Sequence, residues 1–356
     1  MKMHWHVAAP FIDTVPDRNS DWLIPFIPHN NSRFTCVRRP SRELNWHDRP
    51  SPVTSYQEWL SLWRQSREAV RNVEGGIITV FPQLAALVGI QKTLSRRQFP
   101  IVAWWFNTNQ YSGYKRVLAK AALQSIDRFV VHNRIEREAY SQWLDIPLDR
   151  FEFVPLQTPI HPITESEDTE QPFIVSIGSG YRDYPLLFQA VQKLGYRTIV
   201  ISGPRVLKGL TPPPNVETPF GLRKPEIISL LQRARLVVLP LVTDGLVAGT
   251  VAIAEALSLG CPLIVSDRPG VRDYIEDGQT GLLVQPHDPA PLTQAIDHLW
   301  QDQTLRDRLR QQSRQYALQN LTDVAAGANL GHILNQVAED FNRTGKPVHR
   351  ATHPLL

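Results

Sequence analysis

The sequence predicts an α/β protein built from two domains, each around a parallel sheet. Short apolar runs alternate with helix-period segments through residues 76–154, and do so again through 173–301. A polar, proline-bearing stretch, LQTPIHPITESEDTEQP at 156–172, separates the two series and has no apolar period. The chain's 356 residues suffice for two domains of ordinary size. Strands alternating with helices at this spacing imply right-handed crossovers and parallel pairing.

The elements follow in order. A first strand is expected near residues 4–9, and strand-like RFTCVRR occupies 33–39. The rest of 13–55 is polar, rich in Pro and Asn, and reads as loops. A helix is predicted over 56–73, where Trp59, Leu60, Trp63, Ala69 and Val70 recur at helical spacing. Then come strand 76–81, helix 84–95, strand 101–106, helix 114–125, strand 128–132, helix 135–144 and strand 151–154. The second series runs strand 173–177, helix 184–193, strand 198–202, a short strand near Val216 and helix 224–233. It continues with strand 236–241, a helix from Thr250, strand 263–266 and helices 291–301 and 305–319. A last helix, 323–342, places Val324, Leu330, Ile333, Leu334 and Val337 on roughly one face. The expected organisation is a first domain at 1–155, a linker at 156–172, a second domain at 173–322, the helix 323–342 and a frayed tail at 343–356.

Composition narrows the function classes. No apolar run is long enough to span a bilayer, and the early acids of MKMHWHVAAPFIDTVPD argue against a signal peptide. Cys36 and Cys261 stand alone, so neither a disulfide framework nor zinc spacing follows, and a cytoplasmic location fits best. There is no Asp-x-Asp pair and no His/Cys cluster, so no tightly bound metal or cofactor is expected. The formal net charge of +4 is uneven: residues 1–155 carry 20 Lys and Arg against 14 Asp and Glu, and eight of the nine Trp. That basic, Trp-rich half either meets an anionic membrane or acidic acceptor, or carries ordinary surface charge over core aromatics. The segment GYKRVLAKAALQSIDR, with Lys115, Arg116 and Lys120, is likewise either a membrane-surface helix or an ordinary amphipathic one. Nucleic acid is not an expected partner.

Residues 236–285 carry the chemistry. A strand runs into a loop holding Gly245 and Gly249, a helix opens at Thr250 and carries Glu255, and a second strand follows Gly260 and Pro262. Free N–H groups at a helix N-terminus, set at the carboxyl end of a strand, suit phosphate. The second domain opens with FIVSIGSGYRDYPLL, in which Gly178 and Gly180 stand between a strand and a helix. A dinucleotide fingerprint requires a third glycine where Asp183 stands, which excludes a dehydrogenase reading.

The run AEALSLGCPLIVSD, followed by GVRDYIEDGQTGLLVQPHDPAPLTQAI, resembles the donor half of GT-B glycosyltransferases of the retaining family 4 (glycosyl transferases group 1). The resemblance covers about residues 173–300; the first half matches only in general plan. It implies two Rossmann-like domains facing across a cleft, with the C-terminal helix crossing back to the first domain. It also implies transfer of a sugar, with retention, from a nucleotide sugar, UDP-linked for preference, to a hydroxyl of a lipid, glycan or small molecule. An epimerase or phosphorylase of the same fold, or a degenerate binding protein, are the alternatives.

The resemblance also implies roles. Glu255 would bind the ribose. Arg182 stands where a basic residue meets the pyrophosphate, or else pairs with Asp183. Arg205 and Lys208 lie near the phosphates, or are solvated loop residues. Backbone around Pro219, Phe220 and Gly221 would read the base, with Phe220 against the ring or in the core. Where the family has a second acid, this chain has Val247; Asp244 is the nearest substitute, or a turn residue beside Gly245. Gly249 and Thr250 are then expected to dominate contact with the donor at this end. On the acceptor side Asn107 and Asn109 follow a strand where the family often has a histidine, and His132 ends the next strand as a catalytic candidate or a structural residue.

Overall fold

The structure is a computed structural model that describes residues 3–13, 22–28, 32–39, 54–242 and 248–344. The chain divides into two units, Met1–Val154 with Ala326–Leu356, and Pro155–Ala325.

In the first unit β1 (His4–Asp13), β2 (Arg33–Arg39), α1 (Tyr56–Asn72), β3 (Gly76–Val80), α2 (Pro82–Ser95), β4 (Ile101–Trp104), α3 (Gly113–Leu123), β5 (Arg128–Val131), α4 (Arg134–Leu144) and β6 (Phe151–Phe153) follow one another. They form a six-stranded sheet of order β2-β1-β3-β4-β5-β6, parallel throughout. The central strands GIITV, IVAW and RFVV are buried at every residue, as a parallel sheet covered on both faces requires. α1 packs on α2, α2 on α3 and α3 on α4, so the crossover helices share one layer.

α1 has the expected span, and its periodic apolar residues divide between its two faces. Its start is fixed by a capping box, with Ser55 accepting from the Glu58 amide and Glu58 accepting from the Ser55 amide. Its buried face is Ser61, Leu62, Gln65, Ser66, Ala69 and Val70, while Trp59, Leu60 and Trp63 lie on the exposed side. Gln65 contributes to the choice of face. Its amide donates to Ala9 O at 2.9 Å and Val37 O at 2.7 Å, holding α1 across β1 and the edge strand β2. Ser66, accepting from Gln91 at 2.6 Å, ties α1 to α2. Hydrogen bonds from Gln65 and Ser66 join the apolar Leu62, Ala69 and Val70 in fixing the inward face.

In the second unit β7 (Ile174–Ile177), α5 (Tyr184–Leu194), β8 (Thr198–Ile201), α6 (Pro204–Leu207), β9 (Val216–Glu217), α7 (Lys224–Arg233), β10 (Leu236–Leu239), α8 (Thr250–Ser258), β11 (Leu263–Ser266), β12 (Leu282–Val284), α9 (Pro289–Gln301) and α10 (Gln303–Asn320) make a parallel sheet of order β12-β11-β10-β7-β8-β9 with its helices. β12 and α6 are too short to show a period and were not foreseen. The segment 156–172 holds no helix or strand, yet it is tied to this unit along its length. Gln232 Oε1 accepts from the Thr164 and Glu165 amides at 3.0 and 2.9 Å, and Glu167 pairs with Arg235 and Arg310 at 2.7 and 2.6 Å.

α11 (Asp323–Thr344) starts in the second unit and belongs to the first from Ala326 onward. Ala326, Leu330, Ile333, Leu334, Val337 and Ala338 join Trp5, Val7, Ile12 and Trp104 in one apolar core. The C-terminal helix therefore returns to the first domain. Among the described residues no helix is long and apolar enough to cross a membrane.

Candidate functional site

Strand order places the crevice in the second unit. From β7 the chain steps to β8 and β9 on one side, and from β10 to β11 and β12 on the other. The loops after β7 and β10 therefore diverge at the carboxyl ends of adjacent strands, the usual ligand crevice of an open α/β sheet.

Arg182 sits at that divergence. Its Nε donates to Ile177 O at 2.9 Å and its Nη1 to Gly180 O at 2.8 Å. Nη2 has no hydrogen-bond partner among the described residues. Burial pulls the guanidinium below its usual pKa, though an arginine stays charged. Gly178, at φ +110°, makes room for it: a Cβ there would overlap the guanidinium. The pairing with Asp183 is not made, because Asp183 caps α5 by accepting from the Leu186 amide at 3.1 Å. On the facing loop Gly249 caps α8 at φ +82°, and a Cβ there would lie 3.6 Å from Arg182 Nη1. Ile253 is the first amide of α8 to find a helical acceptor, Gly249 O at 2.9 Å, leaving those of Thr250, Val251 and Ala252 to open the helix. A guanidinium and a helix N-terminus thus meet at one point, which is favourable for an anion.

Glu255 lies in the second turn of α8 with its side chain 9% exposed, paired with Lys224 at the start of α7. Sequence reasoning missed Lys224. The only signal is a lysine at the first helical position after the proposed base loop, 31 residues before its partner. In that loop Gly221 takes φ +71° and Phe220 is 55% exposed, so Phe220 does not pack in the core. Pro219 is half-buried. Ser179 accepts from the Gly203 amide at 2.8 Å, tying the glycine loop to α6, on which Arg205 is exposed and after which Lys208 is exposed. Arg268 and His287, also unforeseen, touch each other nearby, with His287 Nδ1 4.0 Å from Asp183. Asp244, Gly245 and Val247 lie outside the described residues.

The first unit carries a second constellation at its strand ends. Glu136, buried in the first turn of α4, accepts from Asn107 Nδ2 at 2.8 Å, the Tyr140 hydroxyl at 3.3 Å and the His132 amide at 3.2 Å. Burial raises its carboxyl above the usual range. The N-x-x-E spacing from Asn133 was the available signal for it. Asn107 is therefore held and Asn109 is exposed outside that network. His132 does not stand open at the strand end. It is buried, its Nδ1 donates to Val154 O at 2.7 Å, and its ring meets Trp104 and Trp105 edge-on. Burial lowers its pKa to about 4, so it is neutral at physiological pH. Phe81 and Trp105, the residues directly after β3 and β4, take φ +73° and +54°. Such strain in bulky residues persists where surrounding structure enforces it, and it clusters at functional sites. Among the described residues no three His, Cys, Asp or Glu are grouped to hold a metal.

Residues 163–316 match the family model described as glycosyl transferases group 1. Alpha-D-kanosaminyltransferase of Streptomyces kanamyceticus is 31% identical over 111 residues, covering 31% of this chain and 28% of that protein. D-inositol 3-phosphate glycosyltransferase of Paenarthrobacter aurescens is 34% identical over 83 residues, covering 23% and 20%. The matches span about a quarter of the length of these curated relatives. Among solved structures, Anabaena HepE in complex with UDP superposes with a TM-score of 0.66 at 12% identity, over 94% of this chain and 100% of that one. Sucrose-phosphate synthase from Thermosynechococcus elongatus gives 0.65 at 14% identity, over 96% and 100%. The fold is the GT-B fold of such proteins.

Proposed function

We propose that this chain, whose residues 163–316 form a glycosyl transferases group 1 domain, transfers a sugar from a nucleotide diphosphate donor to a hydroxyl acceptor. The observation that carries this reading is the convergence of the Arg182 guanidinium and the α8 N-terminus between Gly178 and Gly249. Two phosphates placed there receive Arg182 Nη2 and the amides of Thr250 and Val251. Glu255, oriented by Lys224, takes the ribose hydroxyls. The base lies at Pro219–Gly221, with Phe220 free to stack. UDP is the favoured nucleotide, since HepE is seen with UDP and with UDP-glucose on the same fold.

Charge develops on the diphosphate as the glycosidic C–O bond breaks. Arg182 and the helix N-terminus are pre-set to receive it, so donor binding needs no tightly held metal. With the sugar held over its own leaving group, the phosphate oxygen takes the acceptor's proton as the acceptor oxygen attacks the same face. Retention follows without a protein nucleophile. In the acceptor-side unit, Glu136 fixes Asn107 for a hydroxyl, and neutral His132 braces Trp105.

The test uses UDP-, GDP- and ADP-sugars labelled in the sugar, with release of nucleotide and of labelled product measured. Arg182→Ala should lower kcat by about 10²-fold or more, in the range of a lost transition-state donor. Its affinity for the bare nucleoside should stay unchanged. Equal losses for nucleoside and nucleoside diphosphate would make Arg182 a brace for its own loop.

A further inference from the structure

The inward turn of Gln65 leaves a face of α1 that no catalytic role uses. Tyr56, Trp59, Leu60 and Trp63, at positions i, i+3, i+4 and i+7, form an apolar stripe over the first two turns, 82%, 39%, 38% and 36% exposed. Arg64, Arg67 and Arg71 continue the same side of the helix and make no ion pair among the described residues. α3 repeats the pattern: Tyr114, Val117 and Leu118, at i, i+3 and i+4, are each more than 60% exposed, with Lys115 between them.

Topology puts the two stripes on one rim. Asn72 is followed by β3 at Gly76, so α1 ends at the amino edge of the sheet and starts at its carboxyl edge. α3, which begins after β4, starts at the same edge, one helix away in the same layer. The rim therefore carries two helix starts that expose Tyr56, Trp59 and Trp63 on α1 and Tyr114 on α3.

We infer that this rim of the first unit docks on an anionic bilayer surface, with the α1 and α3 stripes entering the headgroup region and the arginines remaining at the phosphates. Aromatic residues with one polar end favour that interface. Leu60 and Arg67 are seven residues apart, or about 10 Å along a helix, which matches the insertion depth of interfacial helices. Charge is complementary as well. Three arginines and Lys115 face solvent, while Glu58 is spent in the capping box and Glu68 alone opposes them on the helix. Arg116 and Lys120 do not contribute fully, because both pair with Asp145. The inference is independent of the transfer reaction and is read in a separate assay.

The assay is co-sedimentation with vesicles of phosphatidylcholine alone or with about 30% phosphatidylglycerol, at low and high salt. The full chain should sediment with the anionic vesicles and be released by salt. Trp59→Ser with Trp63→Ser should lower partitioning about tenfold or more, and Arg64→Gln with Arg67→Gln about thirtyfold. Far-UV circular dichroism and Tm should be unchanged in both. The inference is overturned by a folded protein that does not sediment with anionic vesicles, or by partitioning that the variants leave intact. It is equally overturned if sedimentation equilibrium finds a dimer that the Trp variant dissociates, since the stripe would then pair with a second copy.

Discussion

Glu255 shows how one side chain can be legible while its partner is not. A glutamate one turn into a helix, after a glycine at the mouth of a strand, announces itself locally. Lys224 belongs to another helix, α7, and only the tertiary fold brings its ammonium to the carboxylate. The pair has a measurable consequence. Glu255 is buried and Lys224 is half in water, so Lys224→Met strands a charge whereas Glu255→Gln strands none. Lys224→Met should lower unfolding free energy by about 1–3 kcal/mol, and the double variant should recover most of it. Glu255→Gln alone should fold normally and lose about 1.5–3 kcal/mol of nucleotide affinity. Additive stability losses in the denaturant cycle would show that the two side chains are not coupled. His132 teaches the reverse lesson: a histidine at a strand end was visible in sequence, but its burial beneath Trp104 and Trp105 depends on residues from a neighbouring strand.

At the scale of elements, period finds helices and strands well but does not choose a face. α1 is the clearest case: Ala69 and Val70 turn inward with Leu62, while Trp59, Leu60 and Trp63 stay outside, and Gln65 and Ser66 share the inside by hydrogen bonding. α8 is the opposite case. Its start was readable because Gly249 and Thr250 interrupt an apolar run, and Gly249 does adopt a left-handed cap at φ +82°. Gly249→Ala should cost about 1–2 kcal/mol of stability, the penalty of that conformation for a residue with a Cβ. That Cβ would come within 3.2 Å of Leu241 and 3.6 Å of Arg182 Nη1, so diphosphate affinity should fall further than nucleoside affinity. Thr250→Val keeps shape and amide but deletes a hydroxyl, and should cost about 0.5–1.5 kcal/mol of donor affinity. Isothermal titration with UDP and uridine separates the two: equal changes for both ligands would remove the α8 N-terminus from phosphate binding.

For the whole molecule, the alternation of strands and helices was enough to anticipate two parallel sheets, because each crossover constrains the next. Alternation alone does not say which unit the last helix completes, since a single apolar face fits any open core; its return to the first domain was implied by the family resemblance. The structure gives α11 to the first unit, where Leu330 and Leu334 are fully buried beside Trp5 and Val7. Gly327 sets the approach: a Cβ there would stand 2.5 Å from Phe26 O, too close to backbone for any larger residue. The first unit therefore depends on α11 residues from Ala326 onward, although its last strand ends at Phe153. Leu330→Ala should destabilise the first unit by about 2–5 kcal/mol, as for a large-to-small change in a filled core. A chain ending at Thr322 should lose the first unit's cooperative melt outright. Eight of the nine tryptophans lie within residues 1–155, so fluorescence reports that unit almost alone. Protection by UDP, followed by hydrogen exchange at α8, reports the second. The expected outcome is a fluorescence midpoint lowered or abolished while UDP protection at α8 persists. A truncated chain whose fluorescence midpoint matches the full protein would show that α11 merely rests on the first unit and does not complete its core.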